Sequence, residues 1–173
     1  PTLGRHGMKR EGELERYVQV ATELQTEYAT PLIRLGLEID YHPDNVDFAG
    51  ELIQRYPWDY VLGSVHILSK GYAQKVEGRP FDELADLAWK MNAEAVDTGL
   101  FDALAHLDAF MRVFTRPDQF PAFREASYDI EQDRPAAMDV LARLQKRNVS
   151  LEVNASGLRG GTGGPHPCAA ILG

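Results

Sequence analysis

Glu38, His66 and His106 each stand where an apolar, strand-like run gives way to polar residues, in GLEIDYHPD, DYVLGSVH and DALAHLD. One carboxylate and two imidazoles form a donor set suited to zinc, manganese or iron, with coordination positions left for water. A cation held that way lowers the pKa of bound water and polarises a scissile group, so hydrolysis is the chemistry these residues point to. A fourth run, LEVNASGLR, carries Glu152, Asn154 and Arg159. The forked donors of Arg159 suit a phosphate or carboxylate, and Arg112 is a second, weaker candidate for the same task. Asp108, two residues past His106, is a candidate catalytic residue. It would orient a ligating imidazole or position water, with a salt bridge to Arg112 as the plainer alternative.

Positioning such groups requires strands that end together. Residues 11–29 carry Leu14, Tyr17, Val18, Ala21, Leu24 and Tyr28 at helical spacing, and residues 32–41 then change to a β-prone run between Pro31 and Pro43. The pattern repeats. Ala49, Leu52, Ile53 and Tyr56 predict a helix before a strand over 59–67, and Phe81 to Ala95 predict a helix ending before Gly99 and a strand over 100–108. Residues 110–132, interrupted by Pro117 and Pro121, read as loop with some helix. Asp133 reads as the N-cap of a helix running to Asn148, before a last strand over 149–155. Helices alternating with short buried strands give an α/β fold with parallel strands, either an open doubly wound sheet or a (β/α) barrel. In both, ligands bind beyond the carboxyl ends of the strands.

Alternation along each strand would turn Glu38 with Asp40, Ser64 with His66, His106 with Asp108, and Glu152 with Asn154 toward the same side. Asn154 therefore joins the candidates for substrate contact. The glycine-rich tail GLRGGTGGPHP reads as a frayed end, and His6 and His166 are given no role.

Composition narrows the partners. A net charge of −8, from 26 acidic against 18 basic residues, opposes an extended nucleic-acid surface. A small anionic substrate stays compatible, because a bound cation reverses the local field. No stretch is apolar enough to cross a bilayer, and the first ten residues do not resemble a secretory signal, so a cytoplasmic location and no membrane partner are expected. Cys168 is the only cysteine, which excludes an intrachain disulfide framework. There is no Walker phosphate loop, dinucleotide fingerprint or nucleophile elbow.

GLEIDY, DYVLGSVH, AHLD and EVNASGLR, in this order and spacing, resemble the PHP superfamily of polymerase and histidinol phosphatase domains, most closely its stand-alone histidinol-phosphate phosphatases. The likeness covers nearly the whole chain. It implies a distorted (β/α)7 TIM-like barrel whose strand ends hold up to three divalent metals (zinc, manganese or iron) for phosphomonoester hydrolysis. Glu38 is similar to the family's metal-bridging glutamate, and His66 and His106 to its histidine ligands. Arg159, Asn154 and Arg112 sit where substrate contacts would be sought. The implied reaction converts L-histidinol phosphate and water to L-histidinol and phosphate, in histidine biosynthesis.

The family's initial His-x-His, its acidic-His pair and its final Ser-Asp-Ala-His do not occur in the chain. Residues 1–173 therefore read as a single, partial PHP domain with terminal strands missing, impaired as a catalyst alone. Four strands cannot close a barrel, so an open sheet is expected, with apolar edges for further chain or a homo-oligomer to cover. Two alternatives remain: a PHP phosphoesterase for another substrate, and a metal-free PHP-like binding domain.

Overall fold

The computed structural model describes residues 8, 12–67, 78–115, 120, 123, 128–160 and 164–172. Its elements alternate along the chain: α1 (Glu13–Glu27), β1 (Gly36–Asp40), α2 (Val46–Arg55), β2 (Tyr60–Ser64), α3 (Phe81–Thr98), β3 (Ala103–Leu104), α4 (Arg134–Arg147), β4 (Ser150–Leu151), α5 (Ser156–Gly160) and α6 (Ala169–Leu172). The four strands form one all-parallel sheet in the order β1-β2-β3-β4. This is the α/β architecture expected from helix–strand alternation, with successive strands as sheet neighbours.

Register aligns the polar strand ends. Asp40 pairs with Ser64, Gly63 with Leu104, and Leu104 with Leu151, so residues just past each strand emerge at one edge of the sheet. The core lies between the sheet and its helices. Ile39, Val61 and Leu104 meet Leu84, Ala88, Trp89 and Met91 of α3 and Val140 and Leu144 of α4. Helix ends explain why α3 and α4 stop where they do: Gly99 and Asn148 both turn left-handed, at φ 67° and 56°. Gly63 is required for packing, since a Cβ there would lie 2.6 Å from two ring carbons of Phe101.

The strands are shorter than their sequence runs suggest. The run over 100–108 contributes only Ala103 and Leu104, and that over 149–155 only Ser150 and Leu151. Beyond Leu104 the chain turns: His106 takes φ 26°, its carbonyl accepts from the Ala109 amide, and a 3-10 helix covers Ala109–Thr115. A second 3-10 turn, Ile130–Asp133, leads into α4. The tail is also more ordered than a frayed end. His166 and Ile171 are buried, and His166 exchanges backbone hydrogen bonds with Asn154. Residues 161–163 lie outside the described residues.

Candidate metal centre

Glu38 projects from β1, while His66 and His106 lie two residues past the ends of β2 and β3. One ligand atom from each falls within 4.8 Å of the others. The structure thus brings together the three residues singled out as cation ligands. Glu38 is exposed, His66 half-buried and His106 buried, so the group opens toward solvent from an apolar floor.

Each imidazole is gripped by a carboxylate from a neighbouring strand. Asp40 Oδ1 accepts from the backbone amide of His66 at 3.2 Å and lies 3.0 Å from its Nδ1. Glu152 Oε2 accepts from the backbone amide of His106 at 3.2 Å and lies 3.1 Å from its Nδ1. Both Nδ1 atoms meet a carboxylate in the same way, and that of His66 also lies 3.3 Å from Ser64 Oγ. That leaves the two Nε2 atoms facing one another at 2.9 Å. This is the distance of a shared proton, and two imidazole nitrogens with a carboxylate are a donor set that would suit a divalent metal.

Electrostatics separates the two rings. Burial alone would lower the His66 pKa, but the Asp40 hydrogen bond and the charges of Asp40 and Glu38 outweigh it and hold His66 above its ordinary value. For His106, burial and then the neighbouring His66 charge prevail, and its pKa falls. Of the two rings, His66 therefore holds a proton the more readily.

The positive side of the site comes from Arg112. Its charge acts on both histidines, and its Nη2 donates to Ser156 Oγ at 2.8 Å. Ser156 begins α5, whose first amide donates to Asn154 Oδ1 at 2.8 Å. Asn154 Nδ2 donates in turn to Glu152 Oε1 at 3.0 Å. The side chain of Asn154 therefore braces Glu152 and α5. Arg159 lies on α5, but its side chain falls outside the described residues.

Asp108 requires a correction. It does not turn toward His66 or His106; it is wholly buried, with Oδ1 2.6 Å from His166 Nδ1 and Oδ2 accepting from the Cys168 amide at 2.7 Å. The left-handed turn at His106 breaks the alternation that would have kept both side chains on one side. Asp108 instead fastens the segment holding His166 and Cys168 beneath the site. His166 had no local signal, because its partner lies 58 residues earlier in the chain. Asp40 and Glu152, by contrast, were legible as same-side partners of Glu38 and Asn154. Asn92 of α3 steadies the turn from behind, donating to the Leu107 carbonyl at 3.1 Å.

Parallel strands joined by helices, with cation-competent side chains gathered past their carboxyl ends, make this an α/β protein with a candidate metal centre at one edge of its sheet. The same fold is found in histidinol phosphate phosphatase (HISK) from Lactococcus lactis, solved with zinc, L-histidinol and phosphate. That match has a TM-score of 0.64 and 21% identity, and covers 86% of this chain and 56% of the other. In sequence, the chain is 32% identical over 134 residues to a probable histidinol-phosphatase of Deinococcus radiodurans, across 73% of this chain and 51% of the relative. Homology to histidinol-phosphatases is thereby shown, in agreement with the resemblance carried by the four motifs. The chain spans about half the length of the curated relative it matches. No family model matches it.

Proposed function

We propose that the chain supplies the metal-binding heart of a histidinol-phosphate phosphatase, a phosphoric monoester hydrolase converting L-histidinol phosphate and water to L-histidinol and phosphate. The observation that carries this reading is the convergence of Glu38, His66 and His106 within 4.8 Å at the carboxyl edge of a parallel sheet. The names of the relatives supply the substrate. Glu38, His66 and His106 would hold a divalent cation, zinc being the first choice and manganese or iron the others, in a cluster of up to three. When bound, such a cation activates water and neutralises charge on the phosphoryl oxygens.

The chain's own residues divide the remaining work. Arg112, fixed by Ser156, faces the histidines with the charge a phosphoryl group needs. Arg159, one turn along α5, is the second anion contact we propose, and Asn154 sets the angle of that helix. The buried floor around His106 excludes water from one side of the reacting group. Residues 1–173 are read as part of a single domain. Among the described residues no helix is long and apolar enough to cross a membrane, and a freely diffusing amino-alcohol phosphate suits a cytoplasmic site of action.

Phosphate release tests the proposal. The chain, loaded with zinc or manganese, is expected to hydrolyse L-histidinol phosphate slowly, as an incomplete domain, but above background and in preference to other small phosphates and single-stranded DNA ends. His66→Ala or His106→Ala should remove both bound metal and turnover. Preference for DNA ends, or a rate unaffected by either substitution, would overturn it.

A further inference from the structure

The two histidines of the site are held by the same device, used twice. Asp40 and Glu152 sit on opposite sides of the β2–β3 pair. Asp40 is paired in register with Ser64, two residues before His66, and the Glu152 amide donates to the carbonyl of Leu104, two residues before His106. Each carboxylate reaches diagonally forward: Asp40 to a histidine two residues past its register partner, and Glu152, next after the Leu104–Leu151 pair, to a histidine one residue past its own level. In both cases one carboxylate oxygen faces the backbone amide and the Nδ1 of the same histidine, at 3.0 to 3.2 Å.

The chemistry of that contact leaves a single choice of tautomer. A backbone amide is always a donor, so the oxygen it meets is an acceptor, and an imidazole nitrogen at 3.0 Å from the same oxygen must also carry a hydrogen. A bare Nδ1 would set lone pair against anionic lone pair. We propose that Asp40 and Glu152 are positioning residues, each locking its histidine as the Nδ1–H tautomer so that both Nε2 lone pairs point at one cation. The proposal rests on the metal-binding reading given above.

Glu152 has a second task. His106 is a non-glycine residue at φ 26°, a backbone region that side chains disfavour, and its amide is held there by Glu152. Releasing that grip frees both the ring and the turn that aims it. Asp40 has no such burden, because His66 is not among the residues with positive φ. The two clamps should therefore differ in what they control: Asp40 the ring of His66, Glu152 the ring and backbone of His106.

Asp40→Ala, Glu152→Ala and the milder Glu152→Gln can be compared with the parent chain by two measurements. The first is the tautomer of His66 and His106 in the metal-free protein, read from long-range 1H–15N NMR spectra at alkaline pH. The parent should show Nδ1–H at both rings, and each alanine variant should shift its own histidine toward the Nε2–H form while leaving the other. The second is titration with Co2+, read by its visible absorption. Affinity should fall about 10- to 100-fold in each alanine variant, the range seen when hydrogen-bonding partners of metal-ligating histidines are removed. Glu152→Gln, which keeps an acceptor and the shape, covers the case in which Glu152→Ala does not fold and should lose less.

Nε2–H tautomers in the parent, or a tautomer and Co2+ affinity unmoved by Asp40→Ala, would overturn the proposal. A parent chain that shows Nδ1–H at both rings yet binds no Co2+ would instead count against the metal reading and leave the clamps standing.

Discussion

His66 and His106 share a 2.9 Å contact but not an environment, and on the proposed reading a cation would have to displace the proton they share. The His66 pKa is raised, so its protonated form favours the folded state. That contribution is fully present below the ordinary value of 6.5 and is lost as pH rises through the higher value of the folded protein. Asp40→Asn removes the leading cause of the elevation. In the metal-free chain, the stability difference between parent and Asp40→Asn should be largest below about pH 6.5 and should narrow as pH climbs, measured by urea unfolding across the range. Metal affinity should run the opposite way, increasing as the shared proton departs. A stability difference that widens with pH would contradict this assignment of the proton.

At the scale of elements, what was legible in the sequence and what was not follows from where contacts are local. The helices were readable because their apolar spacing and their stops, Gly99 and Asn148, sit within a few residues of what they control. Glu38, His66 and His106 were readable because polar groups interrupting buried strands demand a partner. The strand lengths were not. Leu104 to Asp108 looks like a continuing strand, yet the chain bends at His106 under the pull of Glu152, 46 residues away. Asp108 accordingly meets His166 and the Cys168 amide rather than the side its spacing predicts, and the glycines of the tail mask the burial of His166.

Gly63 in β2 tests the same level. A methyl group there would press on Phe101 and Leu104 side chains at 2.6 to 2.9 Å, closer than real Cβ contacts allow. Gly63→Ala should cost roughly 1–3 kcal/mol by overpacking, seen as a lower midpoint in denaturant with an unchanged slope. Because β3 leads directly to His106, the variant should also lose cation affinity. Retention of both properties would show that Phe101 moves aside freely.

The whole molecule is an open sheet with two free edges among the described residues, β1 and β4, and apolar side chains stand exposed near both: Leu32 at 72%, Val153 at 59% and Leu158 at 62%. The proposed cation ligands come from positions 38, 66 and 106, on three successive β–α units, so a cation bound by them would staple units that otherwise meet through strand pairing and core contact. A ligand that prefers the folded state stabilises it in proportion to the logarithm of its concentration, about 2.7 kcal/mol at one hundred times the dissociation constant. Thermal unfolding followed by circular dichroism should move upward with each decade of added zinc in the parent, and should not move in His66→Ala. On the proposed reading, a chelator would act on this chain as a mild denaturant, and the supply of metal would set part of how much of it stays folded.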